Sequence, residues 1–403
     1  MTKTAFAGVK VLELAELVSG PYCTKLLADL GADVIKIERP PHGDIARRKE
    51  PFLNDFPHPE RSGLFFYLNT NKRGITLNLE SATGREVFKK LVQDTDILIE
   101  DNPPSVMAAL GLDYESLSPL NPGLIMTSIT PFGQSGPYRD YKAYHLNSYG
   151  ASGLAQILIN IMPDEMDKRP LKGPGYLGEY DAGLSAAVAT VGALYSRLAT
   201  GTGQHIDISK QESLIALERV EIGRHGNDSS IFSTVMLRGM VGGLQRCKDG
   251  WVVFTLPMEH QWQAMVKLLG SPDWVTDERF QDETVRAQYA PELNQRIGEW
   301  TITFTKEELF HKAQSMNCPV GMVTTVEDLL NSEQLKTRDF FVEVEHAEMG
   351  RVTMPAAPYR YSETPWRVER TAPLLGEHNS DIYCHRLSYS GDDLVKMRQA
   401  GVI

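Results

Sequence analysis

Little in this sequence offers a metal centre, a disulfide or a membrane span. Its 403 residues hold four cysteines, Cys23, Cys247, Cys318 and Cys384, far apart and without a CxxC pair. That pattern gives neither a zinc ribbon nor a disulfide framework, so a reducing cytoplasm is the expected location. The ten histidines are scattered and no HExxH occurs, so no metal is expected. The opening MTKTAFAGVKVLELA lacks the basic–apolar–small order of a signal peptide. Ala182 to Tyr195, the longest low-charge stretch, is too short to span a bilayer. Positive charge is in deficit, 41 Lys and Arg against 52 Asp and Glu, for a net −11. A chain built to bind nucleic acid or an anionic membrane carries the opposite balance. Common cofactor loops are missing too. No GxGxxG follows the first apolar run, no GxxxxGK[ST] occurs, and Gly133-Gln-Ser-Gly136 lacks the GxSxG spacing of a nucleophile elbow.

What is present is an ordinary globular composition, 42% apolar and 23% charged, long enough for about two to three domains. The first part alternates strand and helix. Val9–Ala15 reads as a strand broken by Gly20-Pro21, and Thr24–Ala32 has helical spacing. Asp33–Glu38 is the next strand, Gly74–Leu79 alternates, Gly84–Thr95 is an amphipathic helix, and Asp96–Asp101 and Leu124–Thr130 are strands again. Strands separated by helices of this length predict a parallel α/β layer. Arg39 to Ser62, with its prolines and charges, reads as an ordered long loop or lid. Residues 225–325 form a separate α+β module around the strand Trp251–Leu256. The expected domains are thus 1–215 with 326–403, and 225–325.

Two groups of residues carry candidate chemistry. Glu179 follows a glycine turn and precedes a long small-residue helix, in GYLGEYDAGLSAAVATVGALYSRLATGTGQHIDISKQES. A helix N-terminus keeps a carboxylate ionised, and an ionised carboxylate can attack an acyl group. The plain alternative is that Glu179 and Asp181 only complement the helix start. Arg39, Arg47, Arg48, Lys49, Lys72 and Arg73 gather between two strands, where α/β sheets bind phosphates. A solvated charged loop explains them equally well.

These segments together resemble the class III CoA-transferases, the CaiB/BaiF family. The likeness rests on VLELAELVSGPYCTKLLADLGADVIKIERPPHGD, NTNKRGITLNL, DILIED, the GEYDAG…TGTGQHIDIS block, CKDGW, TTVEDLLNSEQLKTRDFF and APLLGEH, in order along nearly the whole chain. The resemblance implies a large doubly wound, Rossmann-like α/β domain built from both chain ends, a smaller α+β domain, and an interlinked ring dimer. It implies coenzyme A as a substrate, an acyl-CoA donor such as succinyl-CoA, a carboxylic acid acceptor, and no metal. The family nucleophile, an Asp, falls on Glu179. CoA contacts fall on Val18, Ser19, Arg39, Lys72, Asp101, Asn102 and Lys142. An Arg usual downstream falls on Ala109, and the family's glycine loop is replaced by His225–Gln245. Glu is one methylene longer than Asp, and misplacement of that order costs about a hundredfold.

Two readings follow. The chain is a transferase with a Glu nucleophile, working as a homodimer, or it is the non-catalytic partner of a homologous subunit in a heterodimer or heterotetramer. The subunits of benzylsuccinate CoA-transferase, from anaerobic toluene degradation, are a narrower likeness. The racemase branch needs a His–Asp pair; its His falls on Tyr144, beside His145. Phe65, Phe66, Tyr67, Tyr144 and Tyr149 are candidates to line an acyl pocket, or simply to pack.

Overall fold

The computed structural model describes residues 4–159, 170–228 and 240–403. Its chain divides into two compact units: 1–156 with 170–222 and 339–403, and 157–169 with 223–338. In the first unit the order is β1 (Lys10–Leu14), α1 (Ser19–Ala28), β2 (Asp33–Glu38), α2 (Gly63–Leu68), β3 (Arg73–Thr76), α3 (Ala82–Val92), β4 (Ile97–Glu100), α4 (Pro104–Leu110), α5 (Tyr114–Leu117) and β5 (Ile125–Thr130). There follow α6 (His145–Ala151), α7 (Leu154–Ile159, whose residues from 157 on fall in the second unit), α8 (Leu177–Thr200), β6 (Gln204–Ser209) and α9 (Lys210–Ile215).

The six strands form one parallel sheet in the order β3-β2-β1-β4-β5-β6. This is the doubly wound α/β fold expected from the sequence, with its switch point between β1 and β4. Successive residues of each strand feed two cores. Val11, Val34, Ile97 and Ile125 face α1 and α8, whereas Leu12, Ile35, Leu98 and Met126 face α3. Strands covered on both faces need such continuous apolar runs.

Residues 339–403 complete this unit. Ile382, Tyr383, Met397, Val402 and Ile403 enter the α3-side core. Tyr383 Oη donates to the Thr76 carbonyl at 2.6 Å, and Asn78 N–H donates to the Val402 carbonyl at 2.8 Å. A hairpin, β10 (Phe341–His346) with β11 (Gly350–Pro355), precedes that tail. The second unit holds a three-stranded antiparallel sheet, β7 (Gly242–Cys247), β8 (Gly250–Thr255) and β9 (Val320–Met322). Helices Glu259–Leu268, Ala290–Thr301 and Lys306–Ser315 share its core, where Phe254, Trp262, Leu293 and Leu309 are buried.

One expectation needs correction. Gly20-Pro21 does not break the chain after β1; both lie inside α1, which starts at Ser19 and ends at Ala28 rather than Ala32. Pro21 is in the first turn, where its missing N–H would have had no intrahelical partner.

Candidate active site

Glu179 is the third residue of α8 and is only 3% exposed. Its Oε2 accepts a hydrogen bond from Ser19 Oγ and an ion-paired one from Lys210 Nζ at 2.7 Å. Burial by itself would raise the carboxyl's pKa. The Lys210 charge, the bonds from Lys210 and Ser19, and His145 outweigh it and hold Glu179 below the ordinary carboxylate range. An ionised carboxylate with little water around it is a competent acyl nucleophile.

Each partner arrives for a local reason. Ser19 opens α1 directly after the β1 turn, where Leu17 takes a left-handed φ of 67° and its N–H donates to Asp44 at 2.9 Å. α8 approaches α1 closely because Gly183 has no side chain; a Cβ there would lie 2.5 Å from the Ser19 carbonyl oxygen. Ala182, Ala186 and Ala187 extend that small-residue face. Lys210 follows β6, whose parallel pairing with β5 runs to Thr130↔Ser209. Glu179, Ser19 and Lys210 therefore meet at the carboxyl edge of the sheet, where open α/β folds bind ligands.

His145, the first residue of α6, is buried beside Tyr149 and Tyr176. Burial lowers its pKa, opposed by Glu179, so the ring is held toward its neutral form. Its Nε2 has no hydrogen-bond partner among the described residues, nor do Ser148 Oγ and Thr130 Oγ1. Buried polar atoms without partners are costly in a closed interior, and His145, whose charge is felt at Glu179, is the one of these three tied to the carboxylate.

The other sequence-predicted residues divide: Val18 adjoins Ser19 and Asp101 feels the charge of Lys210, while the rest lie apart from Glu179. Val18 is buried at the start of α1. Asp101 accepts from the Glu16 N–H at 3.1 and 3.2 Å, and burial pushes its carboxyl well above the usual range. The Asn102 side-chain amide donates to the Leu14 carbonyl at 3.2 Å, and its backbone N–H donates to the Glu100 carboxylate at 2.8 Å. These two thus tie β4 to the β1 turn. Arg39 has a 65%-exposed side chain paired with Glu80 at 3.0 Å, and Lys142 is exposed.

Lys72 is not displayed to a ligand. Its three ammonium hydrogens are matched by Glu13, the Pro21 carbonyl and Asn69, each 2.8 Å away, in the core. Arg47 is likewise buried, on Glu38, Glu60 and the Pro373 carbonyl. Arg73 pairs with Asp33 and Asp381. The basic residues after β2 therefore do not act as one phosphate cluster, because chain carboxylates already hold most of them. Phe65 and Phe66 pack in a core with Leu64 and Leu68, Tyr149 is buried, and Tyr144 is 77% exposed. Of His225–Gln245, residues 229–239 lie outside the described residues.

Lys210 was not singled out by sequence reasoning, although it stands in the HIDISKQES segment. A charged residue directly after a strand reads as solvated. The available signal was positional, since that strand end adjoins the site edge. Among the described residues there is no group of three or more His, Cys, Asp or Glu placed to hold a metal ion.

The family model for CoA-transferase family III matches residues 6–379. The formyl-CoA:oxalate CoA-transferase of Rhodopseudomonas palustris is 32% identical, with 100% of this chain and 98% of that protein aligned. The one from Streptomyces coelicolor is 30% identical, with both chains fully covered. The crystal structure of a CaiB/BaiF family protein from Brucella suis superposes with a TM-score of 0.82 at 28% identity, covering 96% of this chain and 100% of that one.

Proposed function

The chain belongs to CoA-transferase family III, and from that premise we propose that it moves CoA from an acyl-CoA donor to a carboxylic acid with Glu179 as the covalent nucleophile. The observation that carries this reading is the buried Glu179 carboxylate, kept ionised by Lys210 and Ser19 at the sheet's carboxyl edge. Glu179 attacks the donor thioester carbon and CoA leaves as its thiolate, giving a mixed anhydride. The thiolate returns to the Glu179 carbonyl carbon, freeing the donor acid and leaving an enzyme–CoA thioester. The acceptor carboxylate attacks that thioester, and the thiolate then takes the new acyl group. Every step exchanges one anion for another, so no net proton or electron is required. His145, whose charge is felt at Glu179, offers a ring nitrogen for the reacting carbonyl, and Arg39 and Lys142 are exposed cations for CoA phosphates.

Two acceptors are in question. Oxalate is named for the relatives; benzylsuccinate follows from the narrower likeness to heteromeric transferases. Assembly with a second, identical or homologous subunit fits α8, which bares Leu184, Val188, Val191, Tyr195 and Leu198 along one face, Leu198 at 80% exposure. The Glu-for-Asp replacement favours, as a second reading, a subunit whose homologous partner carries the nucleophile.

The test is transfer from succinyl-CoA to oxalate or benzylsuccinate by the chain alone and co-expressed with a homologue, with mass spectrometry of the Glu179 peptide. A CoA adduct on Glu179, and activity lost in Glu179→Gln, are the expected results. Full activity of Glu179→Gln alongside the homologue would sink the nucleophile and leave the subunit reading.

A further inference from the structure

We propose that Lys210 is the residue that receives the substrate acid's carboxylate, and that acylation of Glu179 is what frees it to do so. The inference rests on Glu179 being the nucleophile. Lys210 Nζ lies 2.7 Å from Glu179 Oε2, with its side chain 14% exposed. An ammonium has three hydrogens to donate, and Glu179 is the one acceptor recorded for this one among the described residues. Asp101 is the other acid in its field, and both of its oxygens are already engaged by the Glu16 N–H at 3.2 and 3.1 Å.

The charges change as the reaction proceeds. At rest, Glu179 is −1 and Lys210 is +1. When Glu179 attacks the thioester, the carbon–sulfur bond breaks, the electron pair leaves with CoA, and the anhydride on Glu179 is uncharged. When the thiolate attacks the Glu179 carbonyl carbon, the bond to the anhydride's bridging oxygen breaks and the donor acid departs as a carboxylate. The resulting thioester is uncharged as well. In both covalent states Lys210 has lost its anion while remaining largely buried, and an unpaired buried cation is costly. Affinity for an incoming carboxylate is therefore highest while Glu179 carries CoA. The acid paired with Nζ then lies beside the carbon it must attack, since Nζ already touched that carboxylate. Return of CoA to the new acyl group restores the Glu179 anion, which reclaims Lys210 and expels competing acids.

Glu179→Gln mimics the uncharged covalent states. Calorimetric titration with succinate or oxalate should show at least tenfold tighter binding to Glu179→Gln than to the unmodified chain, with the gain lost in Glu179→Gln/Lys210→Gln and partly kept with Lys210→Arg. Thermal melting and acyl-CoA binding check that each variant is folded. Equal binding to Glu179→Gln and the unmodified chain, or tight binding that survives Lys210→Gln, overturns the proposal. In turnover, Lys210→Gln alone should raise KM for the acid about thirtyfold and change KM for the donor less than threefold. Its Glu179 adduct with the donor should still form under rapid quench. Slowed formation of that adduct with an unchanged KM for the acid would reduce Lys210 to holding Glu179 in place. If the unmodified chain forms no adduct, the nucleophile reading fails, while the binding comparison still decides whether Lys210 takes the acid.

Discussion

Two carboxylate–lysine arrangements of nearly equal geometry lie in the sheet-bearing unit, and they differ in what they leave unused. At Glu13, both oxygens are taken, by Lys36 at 2.6 Å, Lys72 at 2.8 Å and the Thr24 hydroxyl at 2.5 Å. Burial would raise this carboxyl, but the two ammonium groups overcome it and hold its pKa at about 2. Lys36 is pinned between Glu13 and Asp44, and burial draws Lys72 down to about 8. At Glu179 the same two groups meet, yet Lys210 keeps hydrogens to spare, and His145, whose charge is felt at Glu179, leaves its Nε2 without a partner among the described residues. A saturated ion network stiffens an interior; one with unfilled valence can hold a reactant. The difference lies in the count of partners, not in the distance of the pair.

The largest expected break in that contrast is Glu179→Gln, which should lower transfer activity by about a thousandfold or more, as expected for loss of a nucleophile, while costing less stability than Glu13→Gln, because it strands one partly exposed lysine and not two fully buried ones. A stability loss as large as that of Glu13→Gln would make the pair structural, like Glu13. Glu13→Gln should do the reverse. Removing one partner from a buried ion network costs about 3–5 kcal/mol, read as a lower urea midpoint, with surviving folded enzyme still forming the Glu179 adduct.

Glu100 sharpens the comparison at the adjoining strand end. Burial raises its carboxyl to about 7. Its folded pKa exceeds the unfolded value, so its contribution is most favourable below about pH 4.5 and is lost as pH rises through 7. Glu100→Gln should therefore stabilise the protein by on the order of 2 kcal/mol at pH 8 and by nothing measurable near pH 4. Stabilisation that is the same at both pH values would refute the assignment. Arg39→Ala should have the smallest structural effect, below about 0.5 kcal/mol, because its ion pair with Glu80 is exposed. A several-fold rise in KM for acyl-CoA at unchanged stability would mark Arg39 as a phosphate contact; no change in KM would remove it.

The parallel sheet was legible because its strands are apolar runs bounded by turns, and Glu179 because a carboxylate follows a glycine turn at a helix head. The closed network was harder to read, since hydropathy places Lys72 and Arg47 at the surface. One clue was present. Lys36 sits inside the apolar DVIKIE and Glu13 inside VLELA, and a charge within a strand covered on both faces must find a partner. They are direct neighbours across β1 and β2. Lys210 was hidden differently. Its value depends on the approach of α8 to α1 over Gly183, a contact between segments about 160 residues apart in the chain, to which no local pattern refers.

The closure of β3 by residues 339–403 also orders events in time. The β3 edge and the α3-side core wait for Tyr383, Val402 and Ile403, which are made after the whole second unit. At about 5–20 residues per second, the stretch from Ile222 to Ile403 takes roughly 10–40 s to synthesise. Throughout that interval the α3-side core lacks Tyr383, Val402 and Ile403, and their arrival ends its exposure to misassembly.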